Sequence, residues 1–123
     1  MRVLGIDPGT YKMGIGVVDS DAGNLTAIYY AVLEPPRRYP IANRLQNLYE
    51  GLRDTISEWL PSEVAVEEPF VSRNVRSAIA IGQAEAVAMV AAAEKGLSVS
   101  TYAPRQVKKA VTDYGGSSKE QVQ

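Results

Sequence analysis

Hydrophobic positions along this chain follow two periods, and the change from one to the other divides it into elements. Short, nearly continuous apolar runs at 3–7, 13–19 and 25–33 have strand length. Asp21-Ala22-Gly23-Asn24, between the second and third runs, carries the residues of a hairpin turn. Three antiparallel strands are therefore expected first. Residues 34–40, with three prolines and two arginines, form a loop. The period then lengthens: Ile41, Leu45, Leu48, Leu52, Ile56 and Trp59 step by three and four, as on one face of an amphipathic helix that stops at Pro61. Trp59 sits in that stripe and is read as core. A fourth strand covers 64–67, and a second helix follows with Asn74 or Ser72 as N-cap and Gly96 as its stop.

The second helix has a broad stripe, Val75, Ala78, Ile79, Ile81, Val87, Met89 and Val90, so it is expected to be buried on more than one side. One side is the sheet, and the other suits a partner subunit. Gly82 inside it costs about 1 kcal/mol against Ala, which is tolerable where it permits close backbone packing. A fifth strand spans 97–102. Pro104 opens a short helix bearing Arg105, Lys108 and Lys109, which Gly115-Gly116 ends. Ser117-Ser118-Lys119-Glu120 reads as a capping box for another helix, which the sequence leaves after its first turns. The whole, residues 1–123, is read as one α/β domain.

Two of the apolar runs end alike. Val3-Leu4-Gly5-Ile6-Asp7 is followed by Pro8-Gly9, and Val64-Ala65-Val66-Glu67 by Glu68-Pro69. Laid side by side and parallel, such strands place their ends one inter-strand spacing apart, roughly 4.8 Å. Asp7 and Glu67 then converge, and two carboxylates so close call for a proton or a cation between them. A divalent metal is the simplest answer. Glu67 is preferred to Glu68 because alternation along a strand points the two in opposite directions.

Composition narrows the chemistry. There is no cysteine, hence no disulfide or thiolate, which fits a reducing, cytoplasmic setting. There is no histidine either, which removes Ser-His-Asp and Cys-His catalysis and every His-ligated metal. Carboxylates, lysines and metal-bound water are left to handle protons. No targeting segment precedes the first strand, and the longest apolar tract, 78–93, is too short to span a bilayer and contains Gln83 and Glu85, so no membrane association is expected. The net charge is -1, unevenly spread: residues 1–68 hold ten acids and six bases, residues 69–123 four acids and seven bases. A polyanion is expected to meet the second half.

The element order and the acids ending strands one and four resemble the ribonuclease H-like fold: a mixed sheet, three antiparallel strands followed by parallel ones, with helices on both faces. Within it the chain is most similar to the RuvC family of Holliday-junction resolvases. The resemblance runs through Gly5-Ile6-Asp7-Pro8-Gly9-Thr10, residues 64–70, Asn74-Val75-Arg76-Ser77-Ala78, Gly82-Gln83-Ala84, 102–108 and 119–123. It implies a homodimeric, Mg²⁺-dependent endonuclease, with Mn²⁺ as substitute, that nicks four-way junction DNA symmetrically and works with a branch-migration helicase complex. Asp7 and Glu67 match the first two metal-binding acids of the family. Lys108 and Lys119 match basic residues near the scissile phosphate, and Phe70 an aromatic that stacks on DNA. Arg73, Asn74, Arg76, Arg105 and Lys109 extend the DNA-binding set.

The family's third and fourth acids belong to a final helix that these residues do not include, and Asp113 does not replace them. The 123 residues are therefore expected to bind without cutting. Two rivals accompany this reading: a catalytically silent resolvase-like module, and a nucleotide-binding domain of the actin and hexokinase kind, which needs two such units. A related monomeric resolvase-like family shares the first motif, but the apolar second helix and the Phe70 loop favour the dimeric one.

Overall fold

The computed structural model describes residues 1–67 and 74–102. Seven elements follow in order: β1 (Arg2–Asp7), β2 (Met13–Asp21), β3 (Asn24–Leu33), α1 (Ile41–Trp59), β4 (Glu63–Glu67), α2 (Val75–Glu94) and β5 (Ser98–Tyr102). They build one five-stranded sheet in the order β3-β2-β1-β4-β5. β2 is antiparallel to both β1 and β3, whereas β4 lies parallel to both β1 and β5. This is the mixed sheet expected from the sequence. The short helix expected from Pro104 and the capping box at Ser117 lie outside the described residues.

The β2–β3 hairpin turns through Ala22 and Gly23 at φ 51° and 84°, with Asp21 paired to Asn24. Two successive positive-φ residues suit the twist of a two-residue hairpin. Ile28 is an extra residue on β3, because Val17 pairs with Tyr29 and Val18 with Ala27. Arg2 and Asp19 cross-link β1 and β2 at 2.9 Å. Hydrogen bonding to Arg2 holds the Asp19 carboxyl below its usual range, so this contribution to stability is present at neutral pH and lost as pH falls through the lowered pKa.

Alternation sorts the strands into two faces. Leu4, Ile6, Met13, Ile15, Val17, Val64 and Val66 share a face and form one core cluster with Leu48, Leu52 and Ile56 of α1 and Ala84, Ala88, Ala91 and Ala92 of α2. Both described helices thus cover the same side of the sheet. Val3, Val18 and Ala65, on the other side, are buried too. Trp59 stacks on Tyr29, with ring centroids 4.9 Å apart, and takes the core role read from its stripe. Tyr49 donates a hydrogen bond to Glu94 that ties α1 to α2.

Asn74, not Ser72, caps α2: its side-chain oxygen accepts from the Arg76 N–H at 2.9 Å. At the other end Gly96, at φ 70°, turns the chain, with N–H bonds from Gly96 to Ala93 and from Leu97 to Ala92. That pair of bonds is a Schellman closure and explains why the helix stops where glycine occurs.

The faces of α2 differ from the sequence expectation. The side toward the sheet is made of alanines, while Val75, Ile79, Met89 and Val90 are 72%, 57%, 46% and 58% exposed. Small residues let α2 lie close to the sheet and α1, and the bulky ones are left outward. Among the described residues a Cβ on Gly82 would meet nothing within 4 Å, so close packing against them does not account for it. The helix is longer than the apolar tract read from the sequence and, by length and composition alone, could cross a membrane. In this fold it packs through Ala84, Ala88, Ala91 and Ala92 into the core cluster shared with the sheet and α1.

Candidate nuclease site

β1 and β4 are adjacent, and Leu4 pairs with Val64, Gly5 with Ala65 and Ile6 with Val66. One step further along each strand stand Asp7 and Glu67. Neighbouring residues in register share a face, so the two carboxylates project from the same side of the sheet at the carboxyl ends of its central strands. Open α/β sheets place their ligands at that end. Asp7 is exposed, and Glu67 is 7% exposed. Holding both ionised side by side favours a positive charge between them. Their donor set, carboxylate oxygen, suits Mg²⁺, which is typically held by one or two carboxylates and completes its shell with water and phosphate. Among the described residues no group of three or more potential ligands gathers.

The turn after Asp7 is tight. A Cβ on Gly9 would stand 2.2 Å from the Lys12 carbonyl oxygen, so only glycine fits there. Thr10 is buried behind it. Beyond the turn Gly14 pairs with Asp7 and Gly16 with Gly5. A Cβ on Gly14 would come 3.5 Å from the Asp7 Cβ and 4.0 Å from Oδ2. Gly14 is half-buried and keeps bulk away from the Asp7 carboxylate, whereas Gly5, Gly16 and Ala65 on the same face are buried. The sequence reading passed over Gly14 and Gly16, although the alternation Met13-Gly14-Ile15-Gly16-Val17 was a signal, since glycine inside a strand marks close approach of a ligand or another backbone.

Asn74 and Arg76 stand at the start of α2, with Arg76 exposed. Phe70, Arg73, Arg105, Lys108, Lys109 and Lys119, as well as Glu68 and Asp113, lie outside the described residues. A broad depression of about 910 Å³, lined by Met1, Arg2, Asp19 and Leu60 among others, opens at the opposite end of β1 from Asp7 and holds no part of this carboxylate pair.

The family model for crossover junction endodeoxyribonuclease RuvC matches residues 3–123. A crossover junction endodeoxyribonuclease RuvC of Dehalococcoides mccartyi is 48% identical over 123 residues, spanning all of this chain and 74% of the relative. Its counterpart in Chloroflexus aggregans is 47% identical over the same 123 residues and 75% of its own length. Among solved structures, the Thermus thermophilus RuvC in complex with a Holliday junction substrate superposes with a TM-score of 0.79 at 34% identity, covering 89% of this chain and 67% of that one. The yeast mitochondrial Holliday junction resolvase Ydc2, at 14% identity and a TM-score of 0.62 over 88% of this chain and 52% of that one, shares the fold.

Proposed function

Because the chain belongs to the RuvC family of crossover junction endodeoxyribonucleases, we propose that it acts on four-way DNA junctions in recombination and repair, with Asp7 and Glu67 as the carboxylate ligands of Mg²⁺ or Mn²⁺. The observation that carries the assignment of the site is the register of β1 on β4, which leaves both acids on one face, one spacing apart. Asp7 and Glu67 would hold a divalent ion there, which when bound would acidify a water and offset charge on the attacked phosphate. The two carboxylates would orient that ion, and the absence of a side chain at Gly14 keeps bulk away from the Asp7 carboxylate. Lys108 and Lys119 are assigned to the phosphate's developing charge, Phe70 to stacking at the junction, and Arg73, Asn74, Arg76, Arg105 and Lys109 to the DNA backbone. A cytoplasmic location and association with a branch-migration helicase complex belong to the same reading. Neither a silent module nor a nucleotide-binding domain is favoured for a chain nearly half identical, along its whole length, to such enzymes.

The test is binding and cutting by the 123-residue chain. It is expected to hold four-way junctions in preference to linear duplex at low salt and to lose them steeply as salt rises, because phosphate contacts release counterions. Nicking in Mg²⁺ is expected to be nearly absent, since two carboxylates anchor one ion better than two. Equal affinity for duplex overturns the junction reading. Symmetric nicking overturns the ligand count.

The same reading includes a homodimer through α2. Helical periodicity places Val75, Ile79, Gly82, Ala86, Met89 and Val90 on one arc, opposite the buried Ala84, Ala88 and Ala91. A two-fold contact there covers the exposed apolar side chains, lets two backbones approach at Gly82, and sets two sites against the two-fold symmetry of a junction. Met89→Asp is expected to give a folded monomer by sedimentation. Met89 suits the test better than Ile81, which is half-buried on the inward side. An unmodified chain that sediments as a monomer at micromolar concentration removes the dimer.

A further inference from the structure

Six basic residues lie in the acid-rich first half of the chain: Arg2, Lys12, Arg37, Arg38, Arg44 and Arg53. Among the described residues, the ion pairs are Arg2 with Asp19 and Arg53 with Asp54. The remaining four basic residues gather at one place. Lys12 and Tyr11 follow the tight turn after Asp7. Leu33 pairs with Met13 and Asp7 with Gly14, so the loop leaving β3 emerges at the same end of the sheet as the carboxylates. Arg37 and Arg38 are the two central residues of a turn closed by the Tyr39 N–H on the Pro36 carbonyl at 3.0 Å, and both are exposed. Arg44, from the first turns of α1, donates to the Tyr39 carbonyl at 3.0 Å and steadies the loop.

The aromatics hold the three arginines in position. The Arg37 and Arg44 guanidiniums lie 5.1 Å and 4.5 Å from the centre of the same Tyr11 ring, and Arg38 lies 5.4 Å from that of Tyr39. Two cations on one ring gain from its quadrupole but repel each other. An anion between them relieves that repulsion, as a cation does between Asp7 and Glu67. Glu34, the acid in this loop, makes no ion pair with them. The loop is stiffened by Pro35, Pro36 and Pro40, so little ordering is lost when an anion binds. Two strand spacings, about 10 Å, separate β3 from β1, so the loop stands beside the carboxylate pair.

We infer that Lys12, together with Arg37 and Arg38 positioned by Tyr11, Tyr39 and Arg44, forms a second phosphate-binding patch that seats the nucleic-acid backbone on the β3 side of the carboxylate pair. This rests on the nuclease reading and extends it, because it places backbone contacts in the half of the chain whose net charge is negative. The arginines reach phosphates and carry no base readout, so the patch sets affinity and direction of the arm rather than sequence preference.

The experiment measures four-way junction binding by anisotropy over a range of KCl for the unmodified chain, for Arg37→Gln/Arg38→Gln and for the ion-paired control Arg53→Gln, with circular dichroism confirming the fold of each. The double variant is expected to lose about tenfold in affinity at low salt and to reduce the salt slope by about 2, near one unit for each phosphate contact removed. The control is expected to match the unmodified chain. If the unmodified chain binds and the double variant keeps its slope, or if Arg53→Gln lowers it equally, the patch is overturned while the nuclease reading stands. If the unmodified chain does not bind the junction at all, the nuclease reading fails and the patch fails with it.

Discussion

Glu67→Gln is expected to weaken Mn²⁺ or Mg²⁺ binding by at least about tenfold, the lower end of what loss of even an outer-shell partner costs a metal site. Glu67 is buried at the end of β4, one residue beyond the Ile6–Val66 pair, as Asp7 is on β1. Its carboxylate therefore has a fixed place relative to the bound ion, and the amide that replaces it keeps the shape without the charge. In metal-free buffer the substitution also removes the repulsion of two adjacent carboxylates, so the variant is expected to be as stable as the unmodified chain or more so. The two states are separable by thermal unfolding. The unmodified chain should gain about 2.7 kcal/mol at a hundred times the dissociation constant of the ion, and Glu67→Gln should gain little at the same concentration. Glu68→Gln, at the adjacent acid that the family motif does not match to a ligand, is expected to keep the metal response. Equal loss from both substitutions means that Glu67 is not the ligand.

The largest expected effect on stability comes from the contact of α1 with the sheet. Leu52→Ala is expected to cost 2–5 kcal/mol, read as a lower urea midpoint with an unchanged slope. Leu52 is fully buried, between Leu48 and Ile56 on the helix and in one cluster with Leu4, Ile15 and Val64 of three different strands. Removing its branched end leaves a void that rigid strands fill poorly, so the cavity adds to the lost transfer energy. Ile41 begins the same stripe but is 37% exposed, and Ile41→Ala should cost well under half as much. A domain of this size has about 5–15 kcal/mol in all, so the Leu52 change removes a large part of it. Comparable losses at 41 and 52 indicate that α1 is packed differently.

Much of this architecture was legible in the sequence, because the signals are local. Alternation, the Ala22-Gly23 turn, the three-four stepping of α1 and the stops at Pro61 and Gly96 act over a few residues, and the chain obeyed them. The pairing of Asp7 with Glu67 was readable for a related reason: two strands of like length each ended in an acid before proline, and a parallel ladder preserves such equivalence.

What only the tertiary structure decided is which neighbour each surface meets. Periodicity showed that α2 is apolar nearly all round, but it did not say that alanines would face the sheet and that Val75, Ile79, Met89 and Val90 would stay outside. The close approach of α1, α2 and the strands selected the small side. Gly14 and Gly16 acquired meaning only once β2 lay beside β1 and put Gly14 across from Asp7. Lys12, Arg37, Arg38 and Arg44, separated by up to 32 positions in the sequence, became a single charged patch because β2 and β3 turn their ends to the same edge. The sequence by itself determined the elements, their order and the two acids at the strand ends, since each depends on bonds and periods within a few residues. The tertiary structure determined the faces, the glycine across from Asp7 and the gathered arginines, since those depend on long-range pairing that brings distant residues within a few ångströms.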